Sequence, residues 1–236
     1  MIGAYFSKPD WHSQYFWWDR YATPDRNVNY NLEKNPWRWN KFKEFTYNQI
    51  EEIMNGDYGS IDILWLDGGW VYPSTKEEVE RRGRRWRGSQ SVDIPRIAAM
   101  ARTYQPGLLV VDRMIEGEYE NYQTPEQSIP ARQITNPWES CITLGSDWGW
   151  TPRQVYKSPT EIIHKLAEIV AKGGSLLLGI GPKPDGTLPE EVIVRLEEIG
   201  QWTSRNGKAI YDTRPVPEYN DGNNWFTVSK DGLKRY

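Results

Sequence analysis

Apolar residues along this chain follow two spacings, which together predict alternating strands and helices. Short apolar runs predict buried strands at residues 2–7, 61–66, 108–111 and 175–180, with a weaker one at 140–144. Apolar residues three or four positions apart predict amphipathic helices between them. These helices are expected at residues 37–55, 94–104, 162–170 and 192–202. Such alternation is typical of parallel βαβ units.

The number of predicted strands bears on which α/β fold is possible. The pattern supplies four firm strands, or five with residues 140–144, whereas a closed (β/α)8 barrel needs eight. A barrel built on this pattern would therefore be incomplete. The tail predicts a hairpin in which a strand at residues 225–228 returns after Asp231 and Gly232.

Charge and composition exclude several classes of protein. The net charge is −3, from 29 basic and 32 acidic residues, and glutamates flank the basic run at residues 81–87. Mixed charge of this kind is typical of a solvated helix face and argues against nucleic-acid binding. No apolar run approaches the roughly 20 residues of a membrane span, and residues 1–10 lack the pattern of a signal peptide. We expect no membrane partner and leave the compartment unassigned.

Cysteine and histidine are too few for a metal centre. Cys141 is the single cysteine, and His12 and His164 are the two histidines. A disulfide framework or a zinc site is therefore not expected. The glycines at 173–174 and 179–181 match neither common phosphate-binding motif, so we expect no nucleotide cofactor.

Tryptophan and tyrosine are unusually frequent, with 13 and 14 residues against 5 phenylalanines. Their rings stack on apolar faces while their polar edges form hydrogen bonds, which is the combination that a sugar-binding site requires. A tryptophan-rich core is the alternative explanation for most of the individual residues.

Candidate catalytic groups follow the predicted strands, because parallel α/β folds collect such groups at the carboxyl ends of strands. Asp67 closes the second apolar run, and a buried carboxylate is costly unless it is paired. Gly68 and Gly69 would let a ligand or backbone approach closely. Arg113 follows the next strand and is a natural partner for a ligand or the carboxylate. Helix capping by Asp67 and a structural ion pair at Arg113 are the alternatives.

Two further features give weaker indications of function. His12 follows the first strand and is either a substrate ligand or a surface residue. Residues 116–126 are rich in glutamate and tyrosine, and a carboxylic acid among aromatic rings has a raised pKa and can donate a proton. Glycosidic bond cleavage uses one ionised and one protonated carboxyl group. A solvated acidic loop is the alternative.

Short motifs recur in a fixed order from about residue 3 to residue 214. They are Tyr5-Phe6-Ser7 with Asp10-Trp11, Asn29-Tyr30, Gln49-Ile50-Glu51-Glu52, Ile63-Leu64-Trp65-Leu66-Asp67-Gly68-Gly69, Thr124-Pro125-Glu126-Gln127, Trp138-Glu139-Ser140-Cys141, Trp148-Gly149-Trp150, Lys172-Gly173-Gly174-Ser175-Leu176-Leu177-Leu178, Gly181-Pro182-Lys183-Pro184-Asp185-Gly186 and Asn206-Gly207-Lys208-Ala209-Ile210-Tyr211. In order and spacing they resemble glycoside hydrolase family 29, the α-L-fucosidases. One motif alone is weak, whereas the whole set is specific.

This resemblance implies a retaining exo-α-L-fucosidase that removes terminal α-linked L-fucose from an oligosaccharide or glycoconjugate, without a cofactor. The family's nucleophile corresponds to Asp67, and its acid/base corresponds to Glu126 in the version that carries Thr-Pro-Glu. The alternatives for the acid/base are Glu118, Glu120 and Glu139. The residues that the resemblance implies for the fucose pocket are Tyr5, Trp65, Arg113 and Trp148. A retaining pair of carboxyl groups is expected about 5–5.5 Å apart.

The sequence also departs from the family pattern. Family members carry a stretch before the Tyr-Phe-Ser strand with the first barrel strands and fucose-binding histidines, and this sequence lacks it. We therefore expect a (β/α)8 TIM-barrel-like fold with its first strands missing over residues 1–214, and the start of a C-terminal β segment at 215–236. An open barrel edge predicts a homo-oligomer. A non-catalytic fucose- or glycan-binding remnant is the alternative function.

Overall fold

Parallel strands with helices between them form most of the structure. The computed structural model describes residues 1–17, 30–83, 86 and 88–236. It divides into two compact units, Met1–Asn121 and Tyr122–Tyr236. Asn29 of the motif set, and the arginines of the basic run at 84, 85 and 87, lie outside the described residues. In the part of the chain that is described, no helix is both long and apolar enough to cross a membrane.

The described residues of the first unit form a parallel three-stranded sheet and three helices. Its elements are β1 (Gly3–Ser7), α1 (Pro36–Met54), β2 (Ile63–Asp67), α2 (Lys76–Arg81), α3 (Ile94–Tyr104) and β3 (Leu109–Asp112). The strands pair in the order β1-β2-β3, with Ser7 opposite Asp67 and Leu66 opposite Asp112. This register brings the three carboxyl ends to one edge of the sheet, where the sequence predicts functional groups.

One face of this sheet packs against the apolar stripes of α1 and α3. Side chains alternate between the two faces of a strand, so Leu64 and Leu66 enter the core while Trp65 and Asp67 point to the opposite face. Phe42 and Ile97, from α1 and α3, belong to the same buried cluster. The predicted helices at 37–55 and 94–104 are therefore confirmed, with their apolar faces against the sheet.

The short solvated helix α2 ends at Arg81, so the described residues of the basic run after Arg81 are not helical, and the predicted helix face lies before the run. Thr75 caps α2: its side chain accepts from the backbone N–H of Glu78, whose carboxylate accepts from the backbone N–H of Thr75. The side chains of α2 are exposed except for the half-buried Val79. This capping explains why a helix begins there without an apolar stripe.

The second unit combines two parallel strands, two helices and an antiparallel hairpin. Its elements are β4 (Glu139–Thr143), α4 (Pro159–Ala171), β5 (Ser175–Gly179), α5 (Glu190–Asn206), a 3-10 turn (Gly207–Ala209), β6 (Thr213–Asp221) and β7 (Asn224–Ser229). β4 pairs with β5 in parallel, so the weak strand expected at 140–144 is confirmed. Val192 of α5 and Ile162 of α4 are buried against Leu144, which follows β4.

The predicted tail hairpin is present, because residues 234–236 return after Gly232 and form backbone hydrogen bonds with residues 227–229 of β7. β7 covers the predicted strand at 225–228 and has a second antiparallel partner, β6, which precedes it and was not predicted. Pro215 and Pro217 hid β6 from the sequence analysis, because proline cannot donate to a ladder and tends to interrupt strands. A two-stranded ribbon tolerates proline on an outward-facing edge. The segment after Gly232 adds a bridge between Val228 and Arg235.

Candidate active site

Asp67 ends β2, and side chains from the two neighbouring strands hold its carboxylate. Tyr5 of β1 donates its phenolic O–H to Oδ2 at 2.8 Å. Arg113, directly after β3, donates from Nη1 to Oδ1 at 3.0 Å. The Asp67 side chain is 27% exposed, whereas that of Arg113 is 7% exposed. The predicted contact between Asp67 and Arg113 is therefore present, and one carboxylate oxygen is assigned to each neighbour.

These contacts lower the pKa of Asp67. Burial by itself would raise that pKa, but hydrogen bonds from Tyr5, from the backbone N–H of Gly68 and from Arg113, together with the Arg113 charge, outweigh burial. The carboxylate is thus ionised at neutral pH, which is the form that a nucleophile requires. Burial and the hydrogen bond to Asp67 raise the pKa of Tyr5 to about 12, so its phenol remains a donor.

Trp65 contacts both of the groups that hold Asp67. Its ring centroid lies 5.4 Å from that of Tyr5, with 28° between the planes, and 5.0 Å from Cζ of Arg113. Only 9% of Trp65 is exposed. Because it lies two residues before Asp67 on the same face of β2, its ring fixes the donors on either side of the carboxylate.

The two glycines after Asp67 leave room for the residues that follow the neighbouring strands. Gly68 has φ of +95°, and a Cβ built on it would lie 2.4 Å from Cδ of Pro9. A Cβ on Gly69 would lie 3.1 Å from the carbonyl oxygen of Arg113. Both glycines therefore allow the segments after the neighbouring strands to approach closely.

A buried ion pair that the sequence pattern did not predict lies at the same sheet edge. Lys8, the residue after β1, contacts Oδ1 of Asp112, the last residue of β3, and their side chains are 0% and 5% exposed. Burial lowers the pKa of Lys8 and raises that of Asp112, and the opposite charge of the partner opposes each shift. The two-residue spacing of strand side chains could have indicated this pair. Ala4, Phe6 and Lys8 follow that spacing, so Lys8 lies on the face of β1 that is turned to the core.

Two of the alternative acids lie in the first unit. Glu118 is exposed, whereas Glu120 is partly buried and accepts from the backbone N–H of Met114 at 3.1 Å. Burial raises the pKa of Glu120, the hydrogen bond from Met114 opposes this rise, and the charges of Asp112 and Glu116 add to it. The raised pKa favours the protonated form of Glu120, which is the form that a proton donor requires.

Glu126, the first choice for the acid/base, lies in the second unit beside Trp148. Nε1 of Trp148 donates to Oε1 of Glu126 at 2.9 Å. The segment that carries Glu126 runs parallel to β4, with isolated bridges from Gln123 to Trp138 and from Glu126 to Cys141. The resemblance implied a site role for both Glu126 and Trp148, and the structure brings these two together.

Trp148 occupies space that Gly179 leaves at the end of β5. A Cβ built on Gly179 would lie 2.7 Å from Cε3 of Trp148. The position of Trp148 beside Glu126 therefore depends on a residue without a side chain at the end of β5.

Glu139, at the start of β4, is half-buried, and burial raises its pKa while a hydrogen bond from Tyr122 at 3.4 Å opposes the rise. The raised pKa favours the protonated form of Glu139, which a proton donor requires, but Glu139 lies at the amino end of its strand.

His12 belongs to a different feature of the first unit. It lines a groove of about 810 Å³ between the loop after β1 and one side of α1. The groove carries hydrogen-bonding side chains and two rings, from Asp10, Ser13, Gln14, Tyr15, Asn40, Lys41, Glu44, Phe45 and Asn48. His12 therefore lies apart from the contacts that hold Asp67.

An ionised carboxylate at the end of a parallel strand, held by a phenol and a guanidinium beside an indole ring, defines a class of site. Glycoside hydrolases use such a carboxylate to attack a sugar or to activate water. The family model described as Alpha-L-fucosidase matches residues 1–208, and the chain belongs to this family.

Individual relatives agree with the family match. An α-L-fucosidase of Dictyostelium discoideum is 27% identical over 227 residues, which is 93% of this chain and 45% of that protein. The structure of α-L-fucosidase isoenzyme 1 from Paenibacillus thiaminolyticus matches with a TM-score of 0.72 and 26% identity, over 96% of this chain and 54% of that one.

A third match shows likeness of fold. It is the trapped covalent intermediate of an α-L-fucosidase from Bacteroides thetaiotaomicron, with a TM-score of 0.72 and 22% identity, over 97% of this chain and 52% of that one. The chain thus spans about half the length of the relatives that it matches.

Proposed function

We propose that this chain carries the catalytic residues of a retaining exo-α-L-fucosidase whose substrate is a fucosylated oligosaccharide or glycoconjugate. Family membership supports this proposal. The observation that carries it is the Asp67 carboxylate, which is ionised, partly exposed and oriented by Tyr5 and Arg113. A carboxylate needed only for folding would not require a separate donor for each oxygen at an accessible strand end.

In the proposed reaction, fucose is transferred first to Asp67 and then to water. An oxygen of Asp67 bonds to C1 of fucose as the C1–O bond to the leaving group breaks, and Glu126 donates its proton to the departing oxygen. Glu126 then takes a proton from water, whose oxygen bonds to C1, and the Asp67 carboxylate is released. The Bacteroides thetaiotaomicron enzyme was itself trapped as a covalent intermediate with a fluorinated fucosyl fluoride.

Aromatic and charged residues are proposed to bind the substrate. Tyr5, Trp65 and Trp148 offer rings that suit the apolar methyl group of fucose, a 6-deoxy sugar. Arg113 is proposed to contact the sugar while it holds Asp67. We propose that His12, in its groove, contacts the part of the glycan beyond the fucose.

Hydrolysis of an aryl α-L-fucoside tests the proposed activity. Asp67→Ala is expected to abolish turnover, by at least about a thousandfold as for the loss of other nucleophiles. The matched control is Asp57→Ala, which removes an exposed carboxylate that bonds locally to Asn55. Fucose binding without turnover by the unaltered chain would instead support a non-catalytic glycan-binding protein. Turnover that survives Asp67→Ala would refute the proposed nucleophile.

Rescue by azide decides among the candidate acids. An alanine variant of the acid/base still forms the fucosyl-enzyme with a good leaving group but cannot activate water, so azide should accelerate release and yield a fucosyl azide of retained α configuration. We expect this rescue for Glu126→Ala. Rescue confined to one of the other variants, Glu118→Ala, Glu120→Ala or Glu139→Ala, would reassign the role.

We also propose the larger architecture that the resemblance implies. The parallel strands would belong to a (β/α)8-like barrel over residues 1–214, with residues 215–236 beginning a C-terminal β segment. Within the described residues β1 is an edge strand, and Ile2 just before it and Tyr5 within it are 65% and 61% exposed. Open edges favour pairing with another chain, so we propose a homo-oligomer. A clean monomer in light scattering at micromolar concentration would contradict this.

A further inference from the structure

The ion pair between Lys8 and Asp112 lies on the core side of the sheet, below the carboxylate of Asp67. Lys8 follows Phe6 at the two-residue spacing of one strand face, and Asp112 lies opposite Leu66. Both side chains are thus on the face that packs against α1 and α3, whereas Tyr5, Trp65, Asp67 and Arg113 share the other face. The pair spans β2 from one neighbour to the other.

Such a pair is poorly explained by stability alone. Removing two charges from water costs several kcal/mol per ion, and well-packed apolar residues commonly replace buried ion pairs without loss of stability. Lys8 and Asp112 are among the most buried side chains of the unit, beside Leu66 and Val110 in the apolar cluster. We therefore expect an apolar pair of similar volume to preserve the fold.

Backbone hydrogen bonds connect the pair to the candidate nucleophile and its partner. The backbone N–H of Lys8 donates to the carbonyl oxygen of Asp67 at 3.0 Å, which extends the pairing of β1 and β2 by one step. Asp112 directly precedes Arg113, whose backbone N–H donates to the carbonyl oxygen of Leu66 at 3.1 Å. The ion pair thus links the two strand ends from which Tyr5 and Arg113 reach Asp67.

The charges of this region alternate in sign. Arg113 contacts Asp67, the Lys8 ammonium interacts electrostatically with Asp67, and Asp112 contacts Lys8. Among the residues that the structure describes, two further titratable groups act on these side chains: Tyr5, which contacts Asp67, and Glu120, whose pKa is raised in part by the charge of Asp112. When Asp67 becomes an ester during the proposed reaction and loses its charge, Asp112 still balances Lys8.

We propose that Lys8 and Asp112 are positioning residues for Asp67: Lys8 places a buried positive charge behind the carboxylate, and Asp112 holds Lys8 and fixes the strand end that carries Arg113. The inference rests on the proposed role of Asp67 as the nucleophile. It assigns a functional purpose to two buried residues on the core side of the sheet.

The decisive measurement is the pKa of Asp67 itself, from a carbon NMR titration of protein labelled at the aspartate carboxyl, with the signal assigned by Asp67→Asn. Lys8→Met/Asp112→Leu replaces the pair by apolar side chains and should fold. We expect it to raise the pKa of Asp67, because the loss of the Lys8 ammonium outweighs the loss of the Asp112 carboxylate, which has the same charge as Asp67. Lys8→Met alone leaves the Asp112 charge in place and is expected to raise the pKa of Asp67 further.

The control variant is Lys172→Met, which removes another buried lysine that contacts a carboxylate, Glu168, at 2.6 Å. It should lower stability without moving the pKa of Asp67. In the aryl α-L-fucoside assay the acid limb of kcat/KM should shift to higher pH with the double variant, and not with Lys172→Met.

The two readouts separate this inference from the proposed function. An unchanged Asp67 pKa in the double variant would overturn the positioning role and leave only a structural pair. Absence of turnover in the unaltered protein would refute the fucosidase proposal, while the NMR titration would still decide whether the pair acts on Asp67.

Discussion

Tyr5 donates its phenolic proton to Asp67 over 2.8 Å, although the two residues are 62 positions apart in the chain. Parallel pairing of β1 with β2 places Tyr5 opposite Trp65 and Ser7 opposite Asp67, so Tyr5 and Asp67 share a sheet face on neighbouring strands. Because the phenol remains protonated, it supplies a permanent donor to one carboxylate oxygen. The other oxygen is held by Arg113.

Tyr5→Phe is expected to lower turnover and to change its pH dependence. The variant loses a hydrogen bond to a charged group, worth about 1.5–3 kcal/mol, which corresponds to a decrease in kcat of about 10- to 100-fold. That bond also lowers the pKa of Asp67, so its loss raises the pKa and moves the acid limb of kcat/KM to higher pH. The pH profile of aryl α-L-fucoside hydrolysis measures both effects.

Tyr30→Phe is the control for removal of a phenol, because Tyr30 donates to the backbone oxygen of Tyr15 and not to Asp67. Its acid limb should match that of the unaltered protein. If Tyr5→Phe lowers kcat equally at every pH, the hydrogen bond does not control the ionisation of Asp67.

Gly68→Ala is expected to destabilise the protein more than Gly59→Ala does. Both glycines have φ of +95°, so each substitution forces an L-residue into a left-handed conformation at a cost of about 1–2 kcal/mol. The Cβ at Gly68 would also meet Pro9, whereas nothing lies within 4 Å at Gly59. Overpacking of this kind adds about 1–3 kcal/mol. Denaturant unfolding of the two variants gives the difference, and equal losses would show that Pro9 yields freely.

Gly179→Ala is expected to impair the site through Trp148. The added methyl group would overlap the indole ring and displace the donor to Glu126. In a double-mutant cycle on turnover, Gly179→Ala should matter less once Trp148 is alanine, with a coupling energy of about 1 kcal/mol or more. Gly200→Ala, in the middle of α5 with open space at its Cβ, is the control and should leave turnover unchanged. Additive effects in the cycle would mean that Gly179 acts by another route.

His12→Ala should distinguish two substrates. If the groove beside α1 binds the glycan beyond the fucose, the variant loses about one hydrogen bond, or about two- to tenfold in kcat/KM, with a fucosylated oligosaccharide. Hydrolysis of an aryl α-L-fucoside should change much less, because His12 lies apart from the residues that hold Asp67. Equal losses with both substrates would place His12 at the fucose itself, and no loss with either would leave it a surface residue.

Periodicity revealed the elements with large apolar faces and missed those that lack one. The strands that became β1, β2, β3 and β5 are continuous apolar runs, and burial on the core face specifies them. Two prolines concealed β6, and the pairing of residues 123–126 with β4 is too short to leave a pattern. The first predicted strand ended at residue 7, because the charge of Lys8 concealed its place in the alternation of β1.

Sequence alone determined which residue types follow each strand, since apolar runs and their ends are local properties. It thereby identified Asp67 and Arg113 as neighbours across a sheet, and its motifs identified the family. The register of the strands decided which side chains meet. Only the pairing of distant strands brings Tyr5 to one oxygen of Asp67 and Arg113 to the other. The same register places Lys8 and Asp112 on the opposite face of the sheet. Such pairing is a relation between remote segments, and no single segment encodes it.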